Sequence, residues 1–260
     1  MSTVTITING KIVRAQEGEY LLGVLKREKI DVPALCHHEA VEPYGGCRLC
    51  TVEVTKAEWK GWSDHVVSCL YPVAEGLIIQ THSPKVIELR KTLLDLYLAR
   101  HPQTKLIQDM AADHGVTQTS YQTVPEPNDC ILCGICVRIC DRMGFSAISA
   151  VNRGHGREIA PPLHEAPPDC VGCLACALNC PTGYIKYEDN GFKRTIWKRE
   201  FEVLRDAKTG APTITKEFSE YLVKNRAIPQ EYFKHNDESH RKETAINMGK
   251  IVQWNREVSS

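Results

Sequence analysis

Cys130, Cys133, Cys136 and Cys140 are spaced C-x2-C-x2-C-x3-C, and Cys170, Cys173, Cys176 and Cys180 repeat the spacing with Pro181 after them. Cys36, Cys47, Cys50 and Cys69 lie far upstream as C-x10-C-x2-C-x18-C. These account for all 12 cysteines. Thiolates at such spacings are soft ligands for iron and sulfide. Each tandem run has the spacing of a [4Fe-4S] centre. The upstream set is a stretched form of the loop cysteine, close pair and distant fourth that hold a [2Fe-2S] centre. Four thiolates per centre leave no open coordination position, so the chemistry is electron relay rather than catalysis on a substrate, and no catalytic residue is assigned.

The tandem runs resemble the two-cluster ferredoxins, in which the fourth cysteine of each run crosses to the other cluster. That resemblance implies one [4Fe-4S] centre on Cys130, Cys133, Cys136 and Cys180 and a second on Cys170, Cys173, Cys176 and Cys140. Gly134 and Gly172 inside the runs, and Gly45 and Gly46 ahead of Cys47, let the backbone wrap closely and aim amides at sulfur. Zinc is the alternative occupant, but a third cysteine two residues past a C-x2-C pair does not suit one tetrahedral ion. The upstream spacing alone leaves zinc or an incomplete site open. His37 and His38, beside Cys36, read as surface or packing residues. Arg48 reads equally as a donor to cluster sulfur or as half of a surface ion pair. Trp197, Phe201 and Tyr232 read as core or partner-interface anchors.

The elements that must position these ligands are legible in outline. Residues 3–8 alternate as a strand, Asn9-Gly10 is a hairpin turn, and residues 11–14 return. A helix follows over 19–29, then short strands over 50–55, 65–68 and 76–80. Ser83 and Pro84 open a helix that His101-Pro102 stops near residue 100, with a second helix over 104–114. Residues 124–127 read as a linker, 154–168 as a surface loop between the tandem runs, 195–204 as a strand, 216–224 as a helix and 234–244 as a solvated tail. The fold class is α+β: a β-grasp [2Fe-2S] ferredoxin domain (1–82), a helical connector (83–124), a two-[4Fe-4S] bacterial ferredoxin-like domain (125–190) and a C-terminal extension (191–260) that reads as docking surface.

Composition narrows the function. Lys plus Arg equals Asp plus Glu at 32 each, which gives no footprint for nucleic acid or an anionic membrane. No apolar run approaches the roughly 20 residues that span a bilayer, and no G-x-G-x-x-G or phosphate-loop motif is present. Twelve cysteines without an export signal read as reduced thiols in the cytoplasm.

PALCHHE over residues 33–39, GCRLCTVEV over 46–54, Ser68-Cys69, Glu75-Gly76 and the helix over 85–100 resemble the N-terminal part of the large iron-sulfur subunit of respiratory complex I. They also resemble the diaphorase iron-sulfur subunit of bidirectional NiFe hydrogenases and the start of multi-cluster iron hydrogenases and some formate dehydrogenases. The resemblance implies a [2Fe-2S] centre at Cys36, Cys47, Cys50 and Cys69. It also implies a non-catalytic relay beside a flavin subunit that binds NAD(P), similar to the complex I flavoprotein, with a second catalytic redox subunit beyond. A free multi-cluster ferredoxin-type carrier is the competing reading. The family places a further centre, held by one histidine and three cysteines, after the second-region helix. Here His101-Pro102 remains, but Lys105, Gln108 and His114 stand where those cysteines would fall, so that centre is expected to be absent. The segment from Glu58 to Ser63 reads as an insertion that touches a partner.

Overall fold

Alternation of Val4, Ile6 and Ile8 puts three branched side chains on the inner face of β1 (Thr3–Ile8) in the computed structural model, which describes residues 2–258. Asn9 and Gly10, both at positive φ, reverse the chain into β2 (Lys11–Gln16), where Val13 and Ala15 face the same way. The helix α1 (Leu21–Arg27) turns Leu21, Leu22, Val24 and Leu25 inward. After a long loop carrying Cys36 and Cys47, β3 (Thr51–Lys56), β4 (Asp64–Val67) and β5 (Leu77–Gln80) complete a sheet of order β2-β1-β5-β3-β4. Only the β1–β5 pairing in it is parallel. A helix laid across a mixed sheet of this order is the β-grasp arrangement. Cys50 and Cys69 are part of its apolar core.

Ser83 in extended conformation and Pro84 start α2 (Pro84–Arg100), whose last turn hands over through His101 to α3 (Lys105–Asp113). Leu94 and Leu98 of α2 meet Ile107 and Ala111 of α3, and the same cluster holds Leu35, Cys36, Cys47, Leu49 and Ile131. The connector is therefore core, shared with the cysteine loops on both sides of it. Arg90 of α2 is 1% exposed, and its guanidinium donates to two backbone carbonyls, Leu49 (3.1 Å) and Thr51 (2.9 Å). These flank Cys50, so one side chain pins the helix to the ligand strand.

Beyond residue 125 come α4 (Ile135–Met143), the paired β6 (Ser149–Val151) and β7 (Glu158–Ala160), and the one-turn α5 (Ala175–Leu178), which packs on α4. A second sheet of order β11-β10-β9-β8 follows, from β8 (Tyr187–Asp189), β9 (Lys193–Ile196), β10 (Arg199–Arg205) and β11 (Pro212–Thr215). The chain closes with α6 (Lys216–Arg226) and α7 (Asp237–Val258). Three local readings change. The strand read over 195–204 is a hairpin, because Trp197 and Lys198 both take left-handed backbone and reverse the chain. The loop over 154–168 is framed by the β6–β7 pair, and the tail read over 234–244 is mostly the first part of α7. Among the described residues no helix is long and apolar enough to cross a membrane.

Arg90→Ala should cost about 3 kcal/mol in chemical denaturation of the full chain, because two buried carbonyls lose their donor and a cavity opens. Arg90→Lys, which keeps a donor within reach of the same carbonyls, should cost less than half of that.

Candidate metal centres

The first four cysteines are buried where the cysteine loop meets the grasp sheet. The sulfurs of Cys36 and Cys47 lie 3.5 Å apart, and the Cys47 amide donates to the Cys36 sulfur at 3.4 Å. A hydrogen bond from the Cys36 thiol pulls Cys47 down to about 5 against its burial, and its counterpart pushes Cys36 up. Cys50 and Cys69 form a second coupled pair, Cys50 drawn down to about 7 by the Cys69 thiol and Cys69 pushed up. Each pair thus holds one sulfur ready to be a thiolate, which is the ligating form.

The tandem runs shape two cavities. One is lined by Cys130, Cys133, Cys136 and Cys180, the other by Cys140, Cys170, Cys173 and Cys176. The fourth cysteine of each run therefore sits with the first three of the other. Ile131, Leu132, Ile159 and Ile185 fill out the first wall, and Phe145, Ile148, Val171 and Ile196 the second. In both runs the residues two and four places after the first cysteine have positive φ: Leu132 and Gly134, then Gly172 and Leu174. Each run meets one of its two left-handed positions with glycine and the other with a strained leucine. This backbone turns amides toward sulfur. Ala147 donates to Cys140 at 3.3 Å and Gly172 to Cys170 at 3.5 Å, and further amides reach Cys130, Cys133, Cys136, Cys173 and Cys180.

Burial pushes the thiols of Cys130, Cys133, Cys140, Cys170 and Cys173 up, and those of Cys136 and Cys176 up to about 12. At Cys180 burial also pushes up, but the Thr182 hydroxyl and the amides of Ile185, Thr182 and Tyr184 outweigh it and hold the thiol below its ordinary value. Eight buried or half-buried sulfurs, seven of them supplied with amide donors, fit multi-iron centres, whose positive charge would replace the protons that burial otherwise retains. A zinc site draws its ligands to about 2.3 Å from one ion. Among the described residues no three His, Cys, Asp or Glu side chains are placed to grip a single ion, and the cysteines ring a space instead.

Arg138 of α4 locks the first set to the second. Its guanidinium donates to the carbonyls of Cys36 (2.6 Å), Glu42 (2.6 Å) and Cys133 (3.4 Å) and stands over the Tyr44 ring at 5.2 Å. Cys133 packs against the same cluster as Cys36, Cys47 and Ile131. Nothing in the sequence singles Arg138 out, since its partners are backbone carbonyls up to 102 positions away.

The remaining candidates fall as follows. His38 accepts from the Ala40 amide through Nδ1, and His37 is half-buried. The Arg48 side chain is exposed, and its residue contributes a left-handed turn whose carbonyl takes the Thr51 hydroxyl at 2.6 Å. His101 caps α2, stacks on Tyr97 and donates from Nδ1 to the Asn128 carbonyl at 2.9 Å. Lys105 pairs with Asp109, Gln108 donates to the Pro102 carbonyl, and His114 bonds the Met110 carbonyl. Phe201 is core, and Tyr232 stacks on His240. Trp197 packs against the core as read and, with Ile196, also lines the second cysteine cavity, because the tight β9–β10 turn carries the indole there.

Comparison with known proteins matches both cysteine-bearing regions of the chain. Residues 1–84 match the 2Fe-2S iron-sulfur cluster binding domain, and residues 129–190 match the 4Fe-4S dicluster domain. The NADP-reducing hydrogenase subunit HndD of Solidesulfovibrio fructosivorans is 30% identical over 216 residues, covering 71% of this chain and 36% of that protein. The NADPH-Fe(3+) oxidoreductase subunit alpha of Geobacter sulfurreducens is 28% identical, with 75% and 25% covered. The mitochondrial NADH-ubiquinone oxidoreductase 78 kDa subunit of Neurospora crassa is 26% identical, with 75% and 29% covered. The chain thus spans about a third or less of the length of these relatives. A chain in the crystal structure of NAD+-reducing [NiFe]-hydrogenase in the H2-reduced state superposes with a TM-score of 0.60 at 25% identity, over 70% of this chain and 86% of that one.

A Cβ at Gly172 would lie 2.7 Å from the buried Phe201 ring, whereas at Gly134 it would meet the Tyr44 ring at 3.6 Å. Gly172→Ala should therefore cost about 2–4 kcal/mol and Gly134→Ala about 1–2 kcal/mol in denaturant titrations. His101 gives a pH test. Burial holds its imidazole below the ordinary value near 6.5, so its contribution to stability is complete above that value and is lost as pH falls through the lowered one. The stability difference between wild type and His101→Phe should shrink between pH 7.5 and pH 5.5, read as thermal midpoints.

Proposed function

We propose that this chain is the electron-transfer iron-sulfur subunit of a multi-subunit, flavin-containing oxidoreductase linked to NAD(H) or NADP(H). In this reading it relays single electrons between a flavin-bearing, NAD(P)-binding partner similar to the complex I flavoprotein and a second, catalytic redox subunit. It carries one [2Fe-2S] and two [4Fe-4S] clusters. Cys36, Cys47, Cys50 and Cys69 would hold the first, Cys130, Cys133, Cys136 and Cys180 the second, and Cys140, Cys170, Cys173 and Cys176 the third. Residues 1–82, 83–124, 125–190 and 191–260 divide as [2Fe-2S] domain, connector, dicluster domain and extension. A reducing cytoplasm suits twelve cysteines reserved for metal.

The observation that carries the reading is the shared apolar cluster of Cys36, Cys47, Ile131 and Cys133. Three separately housed structural centres would have no need of such contact; a relay does. Iron-sulfur clusters bound at these sites supply uptake and release of one electron at a time. The chain's own residues do the rest. Its cysteines fix the centres, its leucines and isoleucines exclude water, its amides lessen the negative charge on sulfur, and Arg138 keeps the first two sets in register.

Anaerobically purified full-length chain should contain about 10 iron atoms, from 2 + 4 + 4, with one [2Fe-2S] signal by EPR. About 14 would mean that a further centre was missed, and about 8 that the first set is empty. Cys180→Ser should remove the signal of the centre on Cys130, Cys133 and Cys136 while sparing the one on its own run. Loss of the signal belonging to Cys170, Cys173 and Cys176 instead would sink the crossed assignment.

A further inference from the structure

The part of the second sheet from β9 onward lies beyond the 4Fe-4S dicluster match, which ends at residue 190. Its side chains nevertheless take three successive carbonyls of the Cys170 loop. Arg199 donates to the Cys170 carbonyl at 2.9 Å, the Thr215 hydroxyl to that of Val171, and Arg194 to that of Gly172 at 2.9 Å. Arg199 also donates to the carbonyls of Pro167 and Pro168 and stands over the Phe201 ring, the ring that closes on Gly172. Among the described residues the first run has no such brace from this sheet.

Between β9 and β10 the two-residue turn is Trp197-Lys198, with φ of 53° and 62°. Turns of this kind favour Asn-Gly, and left-handed backbone at a bulky residue is strained. Here the strain is spent on aim. Trp197 lines the second cavity, and its Nε1–H is buried with no acceptor of its own. The sulfurs of Cys140, Cys170, Cys173 and Cys176 line the same cavity. A buried indole donor lacking a nitrogen or oxygen partner beside four cysteine sulfurs is a donor waiting for sulfur.

We propose that the β9–β10 hairpin is a dedicated cover for the centre on Cys140, Cys170, Cys173 and Cys176, in which Trp197 donates its indole N–H to a sulfur of that centre and makes it easier to reduce than it would otherwise be. The inference rests on the proposed ligation and assigns a task to part of the C-terminal extension. A hydrogen bond to sulfur disperses negative charge, and the reduced state carries one negative charge more, so the bond favours reduction.

The test is an EPR-monitored redox titration of the holoprotein and its Trp197→Phe variant, which keeps an aromatic ring in the turn and removes the donor. One [4Fe-4S] centre should become about tenfold harder to reduce, a fall of about 59 mV for one electron, while the other [4Fe-4S] and the [2Fe-2S] centre stay in place. In wild type grown with 15N-indole tryptophan, pulsed EPR should show a nitrogen coupling to the centre that moves, and Trp197→Phe should lack it. Unchanged midpoints with no indole coupling would overturn the inference and leave the ligation standing. A fully loaded wild type lacking that coupling would overturn it as well, even if the variant fails to fold. Absence of both [4Fe-4S] signals from wild type would instead remove the reading beneath it.

Discussion

A sulfur that binds iron must carry negative charge, and this chain buries six of its twelve cysteines and half-buries the other six. That conflict organises the molecule. Walls of leucine, isoleucine and valine lower the local dielectric, which by itself drives every thiol toward its protonated form. Amides bent inward by left-handed turns restore part of what water would have given, and a positively charged metal core would restore the rest. The same desolvation that makes the bare thiols reluctant to ionise makes a bound centre sensitive to each nearby dipole, because the low dielectric that raises the cost of burial also lengthens the reach of a single hydrogen bond.

Arginine guanidiniums are the second device. Arg90, Arg138 and Arg199 direct their hydrogen bonds at peptide carbonyls within or beside ligand loops, and Arg194 divides its own between the Gly172 carbonyl and the Asp189 carboxylate. An arginine fork can hold two or three carbonyls in fixed geometry, which a lysine cannot do. The positive charge so placed also offsets the anionic sulfur cages. One residue type thus serves both rigidity and electrostatics, and of these four only Arg194 forms an ion pair, with Asp189, among the described residues.

Much of this was legible beforehand because the informative signals were local. Cysteine spacing, the Asn9-Gly10 turn, the alternation of β1 and the Ser83-Pro84 start of α2 are each fixed within a few positions, and each element appears where the residues put it. What stayed hidden depended on distant partners or on broken local rules. Arg90 looked like one more residue on a helix, until the carbonyls 39 and 41 positions back were folded onto it. The β9–β10 hairpin was hidden because Trp-Lys occupies a turn that chemistry reserves for Asn-Gly. The helix α7 was missed for another reason: its opening run of Asp, Glu, His, Arg and Lys carries no apolar stripe to announce it.

Each tandem cavity borrows its last cysteine from the other run, with Cys180 reaching back 44 positions to Cys136 and Cys140 reaching forward 30 to Cys170. Neither ring can close while the chain is still emerging from the ribosome through its first run. Closure of the two rings must wait for a late segment of the polypeptide, so a truncation or frameshift between residues 170 and 175 would strip both rings rather than one.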